Sequence, residues 1–225
     1  MTHAAPARPL RLAHRGEWRR APENTIAALL AALEIPGCDG LEFDVRATAD
    51  DVPVLLHDET LERVQHLRRR LDAISAREAA ELGLPTLEAV LAALPATAFL
   101  DVEFKEDVAA AAVPVLEAAR GPKLRNAVIS SFHADQLLAV ARQRPGWKRW
   151  LNALNLEPAT IATAREVGCS GISVQWRGIN RRGLERAERA HLEVAAWTVR
   201  RRATFDRLAG LGVVAVCVEG AALDG

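Results

Sequence analysis

Tyrosine is missing from these 225 residues, methionine occurs once, and lysine occurs only at Lys105, Lys123 and Lys148. Arginine therefore carries nearly all the positive charge, and 29 basic residues balance 29 acidic ones to a formal net charge of zero. A chain without excess charge exerts no long-range pull on nucleic acid or an anionic lipid surface. Neither is expected as a partner, and no stable membrane association is expected. No run approaches the ~20 apolar residues that cross a bilayer, and residues 1–9 lack the apolar stretch of a signal peptide. Cysteine is scarce and odd in number: Cys38, Cys169 and Cys217 are widely spaced, with neither a disulfide framework nor metal-ligand spacing. They read as small buried thiols in a reducing compartment, so a cytoplasmic location is expected. Gly-x-Gly-x-x-Gly turns, a Walker loop and a Gly-x-Ser-x-Gly elbow are all absent. That removes the usual dinucleotide, nucleotide and serine-hydrolase readings, and leaves Ser130-Ser131 a poor nucleophile.

What is present is alternation. Half the residues are apolar and about a quarter charged, as in a soluble domain with a sizeable core. Extended runs are expected at 10–16, 40–47, 52–57, 98–104, 127–132, 149–154, 171–175, 194–199 and 213–218. Helical segments fall between them, one ending near Glu34 and capped by Asn24 or Thr25, others at 75–82, 85–94, 108–119, 134–144, 158–167, 181–190 and 201–211. Strand–helix alternation predicts a parallel sheet covered by helices. With 52–57 as an accessory extension of the second strand, eight main strands remain, the count of a TIM (β/α)8 barrel. The expected organisation is a single α/β domain over 10–225, with a flexible leader at 1–9 and a short insertion at 59–84. A doubly wound open sheet is the alternative, but it has no phosphate-binding turn to support it.

Ionisable residues recur at the ends of these strands, where burial is costly unless the groups are paired or bound to metal. Glu42 and Asp44 share one face of a strand because side chains alternate with period two, and Glu103 adds a third carboxylate. Three hard oxygen ligands suit Mg²⁺ or Ca²⁺; alternatively, these acids pair with arginines at a polar rim. His14 and His57 are candidate proton carriers near neutral pH. Asp58, next to His57, orients a ring or holds a turn. Arg15 and Lys105 either bind phosphate oxygens or neutralise the acids. Trp197 reads as core or pocket wall, and His3, His66, His133 and His191 as surface residues.

The segments His14-Arg15-Gly16, Pro22-Glu23-Asn24-Thr25, Glu42-x-Asp44, Val54-x-x-His57-Asp58, Leu84-Pro85-Thr86-Leu87-Glu88, Glu103-x-Lys105, Ser130-Ser131-Phe132 and Trp197-Thr198-Val199 occur in an order that resembles the glycerophosphodiester phosphodiesterase family. The resemblance implies a TIM-barrel hydrolase that converts a small-molecule glycerophosphodiester to sn-glycerol 3-phosphate and an alcohol. It implies a divalent cation, Mg²⁺ or Ca²⁺, on Glu42, Asp44 and Glu103, with His14 and His57 as general acid and base. It also implies substrate contacts from Arg15, Lys105 and Trp197. A lysophospholipase D-like phosphodiesterase is the nearest enzyme alternative, and a barrel that binds a phosphodiester or metal without turnover is the other. Three departures from the family pattern stand out. The segment after His57 is short and arginine-rich, Arg200 follows Trp197-Thr198-Val199 where asparagine is usual, and the last strand ends Val218-Glu219 where Thr-Asp is usual.

Overall fold

The computed structural model describes residues 8–224. Nine strands form one sheet: β1 (Leu10–His14), β2 (Gly40–Ala47), β3 (Pro53–Leu55), β4 (Phe99–Phe104), β5 (Ala127–Ser131), β6 (Arg149–Ala153), β7 (Gly171–Gln175), β8 (Glu193–Val199) and β9 (Ala215–Val218). Eight of them are parallel to their neighbours, and β1 pairs with both β2 and β9, which closes the barrel. The ninth, β3, lies antiparallel against the far end of β2 after the Asp50-Asp51 turn. The expected single-domain (β/α)8 barrel with one accessory strand is therefore what forms.

Helices α1 (Ile26–Leu33), α4 (Leu87–Ala93), α5 (Ala109–Arg120), α6 (Ala134–Gln143), α7 (Pro158–Glu166), α8 (Arg181–Arg189) and α9 (Arg202–Ala209) form the outer layer. The segment after His57 holds two short pieces, α2 (Glu62–Gln65) and α3 (Ala76–Glu81). Local chemistry sets several of the starts: Thr25 caps α1 by accepting from Ala28 N, and Ser75 with Glu78 forms a reciprocal capping box on α3. Although short and charged, the insertion has its own apolar cluster, in which Leu61, Leu71, Ile74, Ala79 and Leu84 are buried against Val54 and Leu56. No helix among the described residues is long and apolar enough to cross a membrane. The expected leader falls mostly at 1–7, outside the described residues; Arg8 pairs with Asp39 at 2.5 Å and Pro9 is buried.

The barrel interior explains how the site is positioned. Inward side chains lie two residues apart on every strand. One inward layer, Leu12, Val128, Trp150, Ala195 and Ala215, forms an apolar plug. Gly171 belongs to the same layer, and a Cβ there would lie 2.8 Å from the Trp150 ring, so glycine makes room for the plug's largest side chain. Two residues further along the same strands come His14, Ser130, Asn152, Ser173, Trp197 and Cys217, all lining one pocket. The outward positions between them, including Ala13, Phe43, Val102 and Ile129, are buried under the helices. The pocket thus opens at the C-terminal ends of the strands, directly above a dry plug.

One boundary and one burial differ from the expectation. β3 ends at Leu55, so His57 lies in a loop and not at a strand end. Cys38 is half-buried, with Cys169 and Cys217 buried as expected.

Candidate active site

A sharp turn after β1 sends two consecutive side chains into the pocket. Arg15 (φ 61°) and Gly16 (φ 84°) both adopt left-handed backbone. A Cβ on Gly16 would lie 2.5 Å from the Ala28 backbone, so no larger residue fits beneath α1. Arg15 bears the cost of its conformation because its N–H donates to Glu42 O (2.8 Å) and its Nε lies 3.0 Å from Asp44 Oδ2.

The carboxylates converge through sheet register. Opposite one another across β1, β2 and β4 stand His14 and Glu42, Glu42 and Asp101, and Asp44 and Glu103. Oxygens of Glu42, Asp44 and Glu103 approach within 4.8 Å of one another. Lys105 Nζ lies 2.7 Å from Glu103 Oε1 and 3.6 Å from Asp44 Oδ1. Asn24 Nδ2 donates to Asp44 Oδ2 (2.9 Å), and Asp44 N donates back to Asn24 Oδ1 (3.3 Å). Burial and the charges of Asp44 and Glu103 push Glu42 well above the usual carboxylate range. Burial acts the same way on Asp44, but Arg15 and Lys105 outweigh it and hold that carboxyl low. Glu103 is raised by burial and by Asp44.

Each histidine is held by its own carboxylate. His14 Nδ1 is 2.5 Å from Glu219 Oε1, and its Nε2 faces Glu42 Oε2 at 3.7 Å. His57 Nδ1 is 2.6 Å from Asp58 Oδ1, and burial lowers the imidazole pKa. An ionised carboxylate only accepts, so both Nδ1 atoms donate, which leaves each Nε2 as the nitrogen free to exchange a proton. The carboxylates are anchored in turn: Arg200 Nε donates to Glu219 Oε2 (2.7 Å) and Arg63 Nε to Asp58 Oδ2 (2.5 Å). Burial opposes ionisation of Glu219, yet His14 and Arg200 hold it at about 2. Arg46 donates to the His57 carbonyl (2.9 Å), fixing the loop that follows β3.

The rest of the pocket is neutral or aromatic. Ser130, Asn152 and Ser173 form its floor with Cys217 and with Asp101, which burial pushes up to about 7. Trp197 donates its indole N–H to Ser173 O (3.0 Å) and meets Phe132 edge-on at 5.5 Å. The pocket volume is about 120 Å³.

Whether these residues suit a cation can be judged from the donors left over. Both oxygens of Glu42 and Oδ1 of Asp44 are buried without a hydrogen-bond partner. Arg15 and Lys105 are the two permanent cations beside these three carboxylates, so full ionisation of the cluster would leave buried negative charge uncompensated, at a cost of several kcal/mol. Clustered hard oxygens with spare lone pairs suit a divalent cation.

All eight residues expected at the site line this pocket or touch those that do. Trp197 is pocket wall, not core. His66, His133 and His191 are exposed, and His3 lies outside the described residues. Sequence reasoning missed Asn24, which reads as a helix cap but binds Asp44 while Thr25 does the capping. It also missed the roles of Arg46, Arg200 and Glu219, for which no spacing pattern gives a signal.

A model of the glycerophosphoryl diester phosphodiesterase family matches residues 14–221. The chain belongs to that family. Among its relatives, glycerophosphodiester phosphodiesterase 1 of Mus musculus is 30% identical over 184 residues, covering 74% of this chain and 54% of that protein. The uncharacterized protein YqiK of Bacillus subtilis is 28% identical over 220 residues, covering 89% of this chain and 90% of YqiK. The chain spans about half the length of the mouse and rat relatives. A phosphodiesterase from Oleispira antarctica in complex with the product sn-glycerol-3-phosphate superposes with TM-score 0.83 at 25% identity, covering 94% of this chain and 93% of that one. A glycerophosphodiester phosphodiesterase from Agrobacterium tumefaciens gives TM-score 0.83 at 25% identity, with 96% and 98% covered. Within this phosphodiesterase family, two of the chain's three sequence departures meet: Arg200 donates to Glu219, and Glu219 in turn holds His14.

Proposed function

We propose that this chain hydrolyses glycerophosphodiesters to sn-glycerol 3-phosphate and an alcohol. The observation that carries the reading is two carboxylate-anchored imidazoles and two cations around three carboxylates, in one small pocket at the C-terminal mouth of the barrel. Glu42, Asp44 and Glu103 would hold the divalent cation, Mg²⁺ or Ca²⁺. What a bound cation supplies there is Lewis-acid polarisation of a phosphoryl oxygen and a lowered pKa for a neighbouring hydroxyl.

His14 and His57 act as the acid–base pair through their Nε2 atoms. One removes a proton from the nucleophile, a water or the substrate's own glycerol hydroxyl, as the new P–O bond forms. The other gives a proton to the alkoxide as its P–O bond breaks. Where the glycerol hydroxyl attacks first, water then opens the cyclic phosphate with the roles reversed. Arg15 and Lys105 stabilise charge on the non-bridging oxygens, and Trp197 forms the wall against which the glycerol unit lies. A cytoplasmic location suits the three free cysteines.

A lysophospholipase D-like reading draws on Phe132 and Trp18, both exposed beside the mouth, which could receive an acyl chain. The experiment that decides is release of glycerol 3-phosphate from glycerophosphoglycerol, with Mg²⁺ or Ca²⁺ and with EDTA. Cation-dependent release supports the reading. Release of only lysophosphatidic acid, from lysophospholipids alone, supports the lipid alternative, and no release from either overturns both.

A further inference from the structure

Beyond Trp197 and Thr198, which line the catalytic pocket, a second and larger cavity of about 470 Å³ opens at the ends of β7 and β8. Its walls include Trp176, Arg177, Arg200 and Arg201, and no acidic side chain lines it. The first turn of α9, which borders it, also has no acid. In a chain of zero net charge this is a marked local imbalance.

Elsewhere around the mouth, guanidiniums are neutralised. Arg15 pairs with Asp44 and Glu23, Arg46 with Glu106, and Arg63 with Asp58 and Glu23. Arg200 is likewise bound to Glu219. Arg177 and Arg201 have no carboxylate within 4 Å among the described residues, although 29 acidic residues are available. Two uncompensated cations therefore face the space that any substrate arm passing Trp197 must enter.

Of the two indoles that border this cavity, Trp176, the one beyond the catalytic pocket, is also committed. The Arg177 guanidinium lies 4.5 Å from the Trp176 ring centroid and that of Arg207 lies 5.7 Å from it. An indole face covered by cations has no place for a quaternary ammonium, which needs an open π surface. The guanidiniums of Arg177 and Arg201, which line the cavity, offer N–H donors to an anion.

We propose that this cavity is a subsite for a second anionic group on the substrate, so that the preferred phosphodiester carries a further phosphate on the arm passing Trp197 and Thr198. This deepens the phosphodiesterase reading and rests on it. It selects phosphorylated or oligomeric glycerophosphodiesters over choline and ethanolamine esters.

Three substrates test it: bis(glycerophospho)glycerol, glycerophosphoglycerol and glycerophosphocholine, whose arms are anionic, neutral and cationic. The expected kcat/KM falls in that order, with about tenfold between the first two at low salt and less as ionic strength rises. In the Arg177→Ala/Arg201→Ala double variant that ratio is expected to collapse to about the statistical factor of two for two equivalent bonds, with glycerophosphoglycerol turnover unchanged and choline ester turnover raised. Both positions are exposed, so the fold is expected to survive the change. Equal turnover of all three by the unaltered chain, or equal loss on all three in the double variant, would overturn the subsite. Calorimetric binding of the first two compounds to the His14→Ala variant reads the cavity without turnover. A binding preference for the doubly phosphorylated compound there supports the subsite even if no substrate is hydrolysed, an outcome that would sink the phosphodiesterase reading alone. Equal binding overturns the subsite.

Discussion

The two walls of the barrel mouth differ in chemistry. The wall built from β1, β2 and β4, with the loop after β3, holds His14, Arg15, Glu42, Asp44, His57, Glu103 and Lys105. The wall built from β5 to β8 offers Ser130, Asn152, Ser173 and Trp197 at the same height, with no ionised group among them. Both rest on the same apolar plug, so the difference lies in the side chains above it. The contrast teaches that carboxylates are tolerated at this mouth where cations stand beside them. An isolated carboxylate there would stand unpaired, whereas five charged groups on adjacent strands compensate one another to within one cation. The neutral wall supplies shape and hydrogen bonds, and it leads outward to the cationic cavity beside Trp176.

The sharpest way to break this contrast is to remove charge from the first wall. Glu42→Gln is expected to lower cation-dependent turnover by ~10³-fold or more, since several kcal/mol of transition-state stabilisation depend on the cradle. Measured in EDTA, its melting temperature should rise, because one of three mutually repelling buried carboxylates is gone. A lower melting temperature in EDTA would show that the acids are compensated without a cation. His14→Ala and His57→Ala come next, each expected to lose ~10²- to 10⁴-fold in kcat with a native circular dichroism spectrum. Near-normal turnover by either variant would remove that residue from the chemistry.

Glu219→Gln probes the seam where the walls meet, and its expected loss is ~10- to 100-fold in kcat with little change in KM, as for a group that orients another. It also has a pH signature. The folded carboxyl is depressed from 4.5 to about 2 by His14 and Arg200, so it adds stability that is complete above pH 4.5 and lost as the pH falls toward 2. Urea melts should therefore show wild type ahead of the variant at neutral pH, with the gap closing through that window. A pH-independent gap would refute the ion-pair account. The smallest effect is expected on the neutral wall, where Ser173→Ala should change kcat/KM by no more than about threefold, the worth of one ordinary hydrogen bond. A loss as large as that of Glu219→Gln would mean the second wall takes part in the chemistry.

How far the sequence could be read follows the same division. Strand positions were legible because an inward-facing residue repeats every second position, so Glu42 and Asp44 declare their shared face within three residues. His14 and Lys105 were legible for the same reason. His57 was expected at the end of its strand, yet the strand stops at Leu55 and His57 reaches the pocket from the loop that follows. Of the two caps the sequence offered for α1, Thr25 is the one used, while Asn24, equally good by local criteria, turns to Asp44 instead. Its partner Asp44 stands twenty positions away on another strand.

The sequence alone determined the alternation of strands and helices, and with it the barrel and the set of ionisable groups at its mouth. Period and capping are local physics, expressed within a few residues. Only the tertiary structure decided how those groups are paired: Asn24 on Asp44, Arg46 on the His57 loop, and Glu219 with Arg200 behind His14. The last of these depends on barrel closure, which brings the last strand against the first across 205 positions of chain. No periodicity records a contact at that separation; register and burial create it.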